Sequence, residues 1–389
     1  IEEITSQHRS PNLEDLPRFH GGYVGFFAYE SSQYAEAKIA MLPGKGSKFA
    51  EHMPDIMLVK AEKLIVFDNL DNSTQIIFNA SLQDMTHEFA CSQLDEIEAL
   101  ISKPISFESN NFKDITNTFE FKSNFSKVEY LAAVNTIKDY IAEGDVMQVV
   151  LAQDFSANFD LDSFDLYKAI RKLNPSPYMY YLNFGEFNII GASPEALVRV
   201  EDGYIYSYPL AGTSPRGDTN DQDKEFEDKL LADEKERAEH IMLVDLARND
   251  VGRVAKTGSV EVVDLMRIVK YSHVMHIESE VRGILRDDCT IYDALRSCLP
   301  AGTLSGAPKV RAMEIIYEME NAKRGPYGGA IGYFSFNGNM DTAIPIRTIV
   351  YKDNTAYIQA GGGIVFDSEP QSEYQETINK ASAPLRAID

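Results

Sequence analysis

The stretch Ala330-Ile-Gly-Tyr-Phe-Ser-Phe-Asn-Gly-Asn-Met-Asp-Thr-Ala-Ile-Pro-Ile-Arg-Thr-Ile-Val-Tyr-Lys-Asp-Asn-Thr-Ala-Tyr-Ile-Gln359 decides the fold class. Its runs Ala330 to Phe336, Asp341 to Val350 and Ala356 to Gln359 are rich in aromatic and β-branched residues, and they read as antiparallel sheet. Phe19 to Glu30 alternates Gly with aromatics, as a strand with close backbone packing would. Asp55 to Val59, Lys63 to Phe67, Gln75 to Phe78, Val146 to Asp154, Asn188 to Gly191 and Leu197 to Val200 read as further strands. Apolar residues at helical spacing predict helices over Leu82 to Ile101, Lys127 to Glu143, Glu225 to Ala247 (as one long helix), Asp293 to Leu299 and about Pro370 to Asp389. Long strand runs broken by a few helices, without β–α alternation, predict an α+β fold. A Ser/Asn-rich stretch after Pro104 predicts a linker over 102–119, with a region over 1–101 before it and a larger unit over 120–389 after it.

A chain of 389 residues with 44% hydrophobic content can build one large domain or two ordinary ones. Its 37 basic and 60 acidic residues leave a net charge of −23, which argues against nucleic acid or an anionic membrane as a partner. The acidity reads first as a solvated surface and second as a field that favours a dication. Cys91, Cys289 and Cys298 have no pairing or metal spacing, which points to a reducing cytoplasm. No apolar run approaches the roughly 18 residues of a membrane span. The sequence opens at Ile1 with neither an initiator Met nor a signal-like apolar segment, so the expectation is a fragment or a processed form.

Pro300 to Pro308 is a Gly/Pro-punctuated loop ahead of an amphipathic run. Gly302, Thr303, Ser305 and Gly306 would present backbone N–H groups and hydroxyls, and the helix start adds a positive dipole end. The phosphate-loop pattern Gly-x4-Gly-Lys-Ser/Thr is absent, so the expected guest is a carboxylate. Two acid pairs, Glu236 with Glu239 and Glu373 with Glu376, are three residues apart on predicted helices, so each pair shares a face. Taken alone they read as exposed helical acids. Four converging carboxylates would instead require a hard cation such as Mg²⁺. The second pair follows Ala360-Gly-Gly-Gly-Ile-Val365, where glycines let backbone approach a ligand.

The motifs Gly191-Ala-Ser-Pro-Glu195, Pro209-Leu-Ala-Gly-Thr-Ser-Pro-Arg-Gly217, Asp233 to Asp250, His276, Ser297 to Ile316, Gly325-Pro-Tyr-Gly-Gly329, Arg347 and Ala360 to Lys380 occur in that order. Together they resemble the chorismate-utilising enzymes, and among them component I of anthranilate synthase. The resemblance runs from about Phe19 to Lys380 and is densest after Lys127. It implies large, mostly antiparallel sheets packed as a two-layer core with helices outside, residues 1–101 being a remnant of the family's N-terminal region. It implies a cytoplasmic, Mg²⁺-dependent lyase that turns chorismate and ammonia into anthranilate and pyruvate, the first committed step of tryptophan biosynthesis.

By this resemblance Glu239 and Glu376 would touch Mg²⁺, and Glu236 and Glu373 would hold its waters. Glu195 takes the general-acid position for the departing ring hydroxyl, although alone it reads as a turn residue. Arg347 and Tyr327 match the groups that bind the enolpyruvyl carboxylate; alone they read as a strand-edge ion pair and a core tyrosine. Thr213, Gly212, Gly361, Gly362, Gly363 and Lys380 would cradle the ring carboxylate. His276 and Thr303 match positions linked to pyruvate elimination, where a His in an apolar strand otherwise reads as packed core.

Two positions discriminate among family members. Gln148 stands where water-adding isochorismate and salicylate synthases carry a Lys base, and Gln cannot act as one. Ala211 stands where aminodeoxychorismate synthases carry a Lys able to attack chorismate. One departure is Ser214, where Arg is usual, with Arg216 retained. None of the cysteines lies in a Gly-x-Cys-x-Gly turn, so a separate glutamine amidotransferase subunit is the implied ammonia source. Asn174, Pro175, Ser176, Pro177, Tyr178 and Met179 resemble half of the family's tryptophan-inhibitor site. The other half is expected upstream of Phe19, so tryptophan inhibition is expected to be weak or absent. The remaining alternatives are an aminodeoxychorismate or aminodeoxyisochorismate synthase and a catalytically inactive chorismate-binding homologue.

Overall fold

The computed structural model describes residues 1–42, 53–104, 121–159, 162–271 and 274–382. Two antiparallel sheets form its frame. The larger contains β1 (Gly22–Phe27), β2 (Ile56–Ala61), β9 (Ala196–Glu201), β10 (Tyr204–Ser207), β11 (Leu210–Pro215), β12 (Glu261–Lys270), β13 (Val274–Ile284), β15 (Ala330–Ser335) and β16 (Met340–Ala343). Its spatial order is β11-β13-β10-β9-β16-β15-β1-β2, with β12 also paired to β13. The smaller contains β5 (Lys122–Ser123), β6 (Gln148–Asn158), β7 (Tyr178–Asn183), β8 (Asn188–Ser193), β14 (Gly306–Ala307), β17 (Thr348–Lys352) and β18 (Thr355–Ile364). Its order is β14-β6-β18-β17-β8-β7, with β5 on β6. A separate hairpin joins β3 (Lys63–Asp68) to β4 (Ser73–Phe78).

Side-chain alternation fixes how these layers stack, because neighbours on a strand face opposite ways. Phe26, Ile331 and Ala343 of the larger sheet meet Ile189, Val350 and Tyr357 of the smaller in one buried cluster. Adjacent residues point outward to helices. Among the described residues these are α1 (Glu2–Thr5), α2 (Ala37–Ala40), α3 (His87–Ile101), α4 (Lys127–Ala142), α5 (Ser163–Leu173), α6 (Asn220–Ala232), α7 (Glu234–Gly252), α8 (Ile291–Cys298), α9 (Lys309–Met319) and α10 (Pro370–Ser382). Val200 and Phe334 pack with Val244 and Val251 of α7 and Leu295 of α8. Ile190, Ile349 and Ile358 pack with Leu166 and Ile170 of α5 and Ala381 of α10. Phe26 is fully buried between the sheets, where truncation to Ala would cost about 3–5 kcal/mol. The expected α+β, two-layer architecture is the one observed.

Three local differences have clear causes. The single helix expected over Glu225 to Ala247 is two, α6 and α7. Asp233 between them takes an extended conformation (ψ 113°), and its carboxylate accepts from the N–H groups of Lys235 and Glu236, which starts a new helix. The strand expected over Asp341 to Val350 divides into β16 and β17 around Pro345, which has no N–H for a ladder, and Arg347, whose φ is 51°. Residues 383–389 of the closing helix, and nearly all of the linker over 102–119, lie outside the described residues. β1 and β2, from the first hundred residues, pair directly into the larger sheet. No helix of the described residues is long and apolar enough to cross a membrane.

Candidate active site

A cavity of about 630 Å³ opens between the two sheets, below α10. Glu195, Thr213, His276, Thr303, Tyr327, Arg347, Gly361, Gly363, Glu376, Lys380 and Asn174 all line it. These residues span just over two hundred positions of sequence, Asn174 to Lys380, and the two sheets bring them together.

Glu195 sits in the connection between β8 and β9. Its N–H donates to Ser193 Oγ (3.3 Å) and its carbonyl accepts from Ile344 N–H (3.0 Å), so the backbone is held from both sides. Thr303 Oγ1 donates to Glu195 Oε1 at 2.8 Å. Burial pushes this carboxyl up to about 7, against the opposing pull of the Thr303 hydrogen bond and of the Arg347 and Lys380 charges. Glu195 therefore keeps its proton further toward neutral pH than an ordinary carboxyl, as a proton donor requires.

His276 lies on β13 opposite Thr213 of β11. Its Nδ1 is 3.0 Å from the Gly212 carbonyl, which can only accept, so the hydrogen-bond network assigns the proton to Nδ1. Thr213 Oγ1 lies 3.0 Å from the same nitrogen. Nε2 is buried with no hydrogen-bond partner among the described residues, and burial holds the imidazole below its usual basicity. A neutral ring with a bare Nε2 is equipped to take a proton. Arg347 makes no ion pair with a described residue, and burial works against its charge. Tyr327 is buried and its hydroxyl interacts with the Gly361 backbone, while Lys380 Nζ donates to the Gly361 carbonyl at 3.0 Å.

Of the two acid pairs, Glu376 lines the cavity, while Glu239 and Glu373 lie outside its lining but within electrostatic reach of Glu376 and Lys380, and Glu236 is close to Glu239. Gly212 is a bulge residue at φ 74°, and a Cβ added there would meet Glu236 Oε2 at 3.1 Å. A Cβ on Gly362 would meet Glu373 Oε2 at 3.0 Å and Glu376 Oε1 at 4.0 Å. Burial, then the neighbouring Glu236 and more distantly Glu376, raises Glu239; burial, and after it Glu376, raises Glu373, although Ser368 and nearby lysines oppose this. Glu376 also pairs with Lys380 at 2.7 Å, both side chains about half exposed (48% and 52%). Among the described residues no three of these carboxylates close into a ready metal cluster. The donor set is all-oxygen and mutually repelling, and glycines replace side chains behind it. That chemistry fits a hard dication.

The family model of chorismate binding enzymes matches residues 2–386. Anthranilate synthase component 1 of Pseudomonas putida is 47% identical over all of this chain and 79% of its own length. The Aquifex aeolicus protein of the same name is 47% identical over all of this chain and 78% of its own length. The chain belongs to the anthranilate synthase component 1 family. The crystal structure of anthranilate synthase component I from Streptococcus pneumoniae superposes with a TM-score of 0.90 at 41% identity, covering 98% of this chain and 84% of that one. The menaquinone-specific isochorismate synthase of Escherichia coli shares the fold, with a TM-score of 0.75 at 22% identity.

Several residues singled out by sequence stand off the cavity. The Gln148 amide packs against Gly363, which does line it. Beyond Asn174, the segment Pro175, Ser176, Pro177, Tyr178, Met179 leads away along the sheet edge; Tyr178 Oη donates to Asp341 at 2.9 Å and Met179 packs on the α5 side of the sheet. The loop after Pro300 is not the open carboxylate nest its composition suggests. Ser305 is fully buried and donates to the Ala301 carbonyl, while Gly306 and Ala307 pair with β6. Lys309, at the start of α9, is spent on Asp250 at 2.7 Å. Of that loop Thr303 and Leu304 reach the cavity. Tyr271, unmarked in the sequence, packs edge-on against the His276 ring with centroids 5.6 Å apart. A tyrosine just past the end of an alternating strand carries no signal of such a role.

Proposed function

We propose that this chain converts chorismate and ammonia into anthranilate and pyruvate, and that the cavity between the sheets is where both half-reactions occur. The Arg347 guanidinium and the Tyr327 hydroxyl receive the enolpyruvyl carboxylate as a charged fork and a donor. Thr213, Lys380 and the backbone from Gly361 to Gly363 hold the ring carboxylate. Glu236, Glu239, Glu373 and Glu376 would hold Mg²⁺ beside the cavity. That ion, when bound, would offset the carboxylate charge and draw electron density from the ring.

Ammonia adds to the ring at C2 as the C4 hydroxyl departs, and Glu195 donates the proton that lets it leave as water. His276 Nε2 then removes the C2 proton, the ring C–O bond breaks as the ring becomes aromatic, and the expelled enolate takes a proton from solvent at its methylene carbon to become pyruvate, leaving the aromatic amine. Gln148 and Ala211 put no base or amine nucleophile of their own at the two positions that distinguish other family members. The observation that carries this reading is the oppositely poised pair on one cavity, Glu195 with its carboxyl raised by burial and donated to by Thr303, and His276 bare at Nε2 among the described residues. The sequence's implied amidotransferase subunit supplies ammonia in this scheme.

The reading is tested with Glu195→Gln, which keeps the shape and the Thr303 contact. Chorismate binding should survive while its consumption falls by roughly 10²–10⁴-fold. Consumption at the wild-type rate would remove Glu195 from the mechanism.

A further inference from the structure

Behind the cavity wall, and outside every role assigned above, lies Arg324, 2% exposed. Its guanidinium carbon stands 4.4 Å from the Tyr29 ring centroid and 5.7 Å from that of Tyr327. Nε donates to Glu320 Oε2 at 2.9 Å and Nη2 pairs with Glu320 Oε1. Two hydrogen bonds remain, and both go to the cavity wall. Nη1 donates to the Leu304 carbonyl at 2.6 Å, and Nη2 to the Val150 carbonyl at 2.8 Å. Leu304, Val150 and Tyr327 all line the cavity, and Thr303 beside Leu304 donates to Glu195.

A buried ion pair could serve the fold alone, and replacing such pairs by apolar groups is often neutral. The partners of Arg324 say more. One planar fork ties Glu320 to two further segments, and both of those, at Leu304 and Val150, line the cavity. The backbone N–H groups of Arg324 and Gly325 are themselves held by the Glu30 carboxylate at 2.7 and 3.0 Å, so the turn leading to Tyr327 is anchored where it starts.

We propose that Arg324 is a positioning residue for the reaction: by fixing Leu304 it fixes Thr303, and through Thr303 the placement of the Glu195 carboxyl. The inference rests on Glu195 acting as the acid. The charged and titratable groups that bear on Glu195 are Arg347, Lys380, Tyr271 and Tyr327, and none of them is altered in the test. Thr303 stabilises the ionised form of Glu195, so loosening it raises the pH at which the acid is lost.

The test is the pH profile of kcat/KM for chorismate at a constant concentration of unprotonated ammonia. Thr303→Val should move the alkaline midpoint upward by roughly half to one pH unit. Arg324→Lys, which keeps a charge for Glu320 but loses the fork, should move it the same way by no more than that. The double variant should move no further than Thr303→Val alone. Arg324→Met combined with Glu320→Gln removes the ion pair as a unit and should reproduce the shift. A uniform loss of activity with the midpoint unmoved, or shifts that add, would overturn the proposal. Failure of both Arg324 variants to fold would overturn it too, since the guanidinium would then serve the fold. An alkaline limb that persists in Glu195→Gln would instead sink the acid assignment on which the inference rests.

Discussion

Burial acts on Glu195 and His276 in opposite electrical senses and reaches one chemical result: each is pushed toward its neutral form, one as donor and one as acceptor. The raised Glu195 has a stability consequence. Its stabilising contribution is complete below the ordinary carboxylate value near 4.5 and is lost as pH rises through about 7. Each tenfold change in proton affinity is worth about 1.36 kcal/mol, so the loss is on the order of 3 kcal/mol. Glu195→Gln does not titrate, so in urea denaturation its stability relative to wild type should rise by about 2 kcal/mol between about pH 5.5 and about pH 8.5, the part of that loss falling in this window. A constant difference would show that the carboxyl is not perturbed. His276→Met should still aminate the ring and accumulate the aminated intermediate, seen by mass spectrometry, because the base for the C2 proton is gone. Undiminished anthranilate formation would return His276 to the role of a core residue. The residue types of this site, and a burial-raised acid at Glu195, were legible from the motifs and the family resemblance, whereas the groups that set the acid's environment were not. The Glu195 environment depends on Thr303, 108 positions away, and no local pattern encodes that distance.

At the scale of elements, α7 and α10 bring two acid pairs within electrostatic reach of one another, with β11 and β18 behind them. The glycines at 212 and 362 are what permit it. Gly362→Ala would place a methyl 3.0 Å from Glu373 Oε2, the end of a flexible side chain that can move aside. The fold should survive with a stability change within about 1 kcal/mol. The Mg²⁺ concentration for half-maximal activity should rise several-fold, with a matching weakening in calorimetric Mg²⁺ titration. Unchanged titrations would mean that the carboxylates behind Gly362 do not hold the ion. Glu376→Gln should abolish turnover with the fold intact, and appreciable chorismate consumption would count against the metal assignment. The helical spacing of each pair was readable, but not the break between α6 and α7. Asp233 looks like one more acid in an acidic helix, and only its capping geometry ends one helix and begins the next. The loop after Pro300 misled in the other direction: its glycines and hydroxyls serve pairing with β6 and delivery of Thr303.

For the molecule as a whole, the strand texture around Ala330 to Gln359 predicted the antiparallel layers correctly. The order of strands could not be read, since β1, with β2 on its other side, joins β15 across about three hundred residues. Ammonia supply is also a whole-molecule matter. Cys298 is buried with its thiol pushed up to about 12, and Cys91 lies in the body of α3, where helical N–H groups are engaged and cannot form an oxyanion cradle. Glutamine should therefore be inert as a nitrogen source until an amidotransferase subunit is added, while ammonium supports turnover directly. Release of glutamate by the chain alone would contradict this. The most direct test of the account is to incubate the chain with chorismate, Mg²⁺ and ammonium and to identify the products by mass and fluorescence. Anthranilate and pyruvate in equal amounts are the predicted result; an aminated product that retains its enolpyruvyl group, isochorismate, or unconsumed chorismate would contradict it.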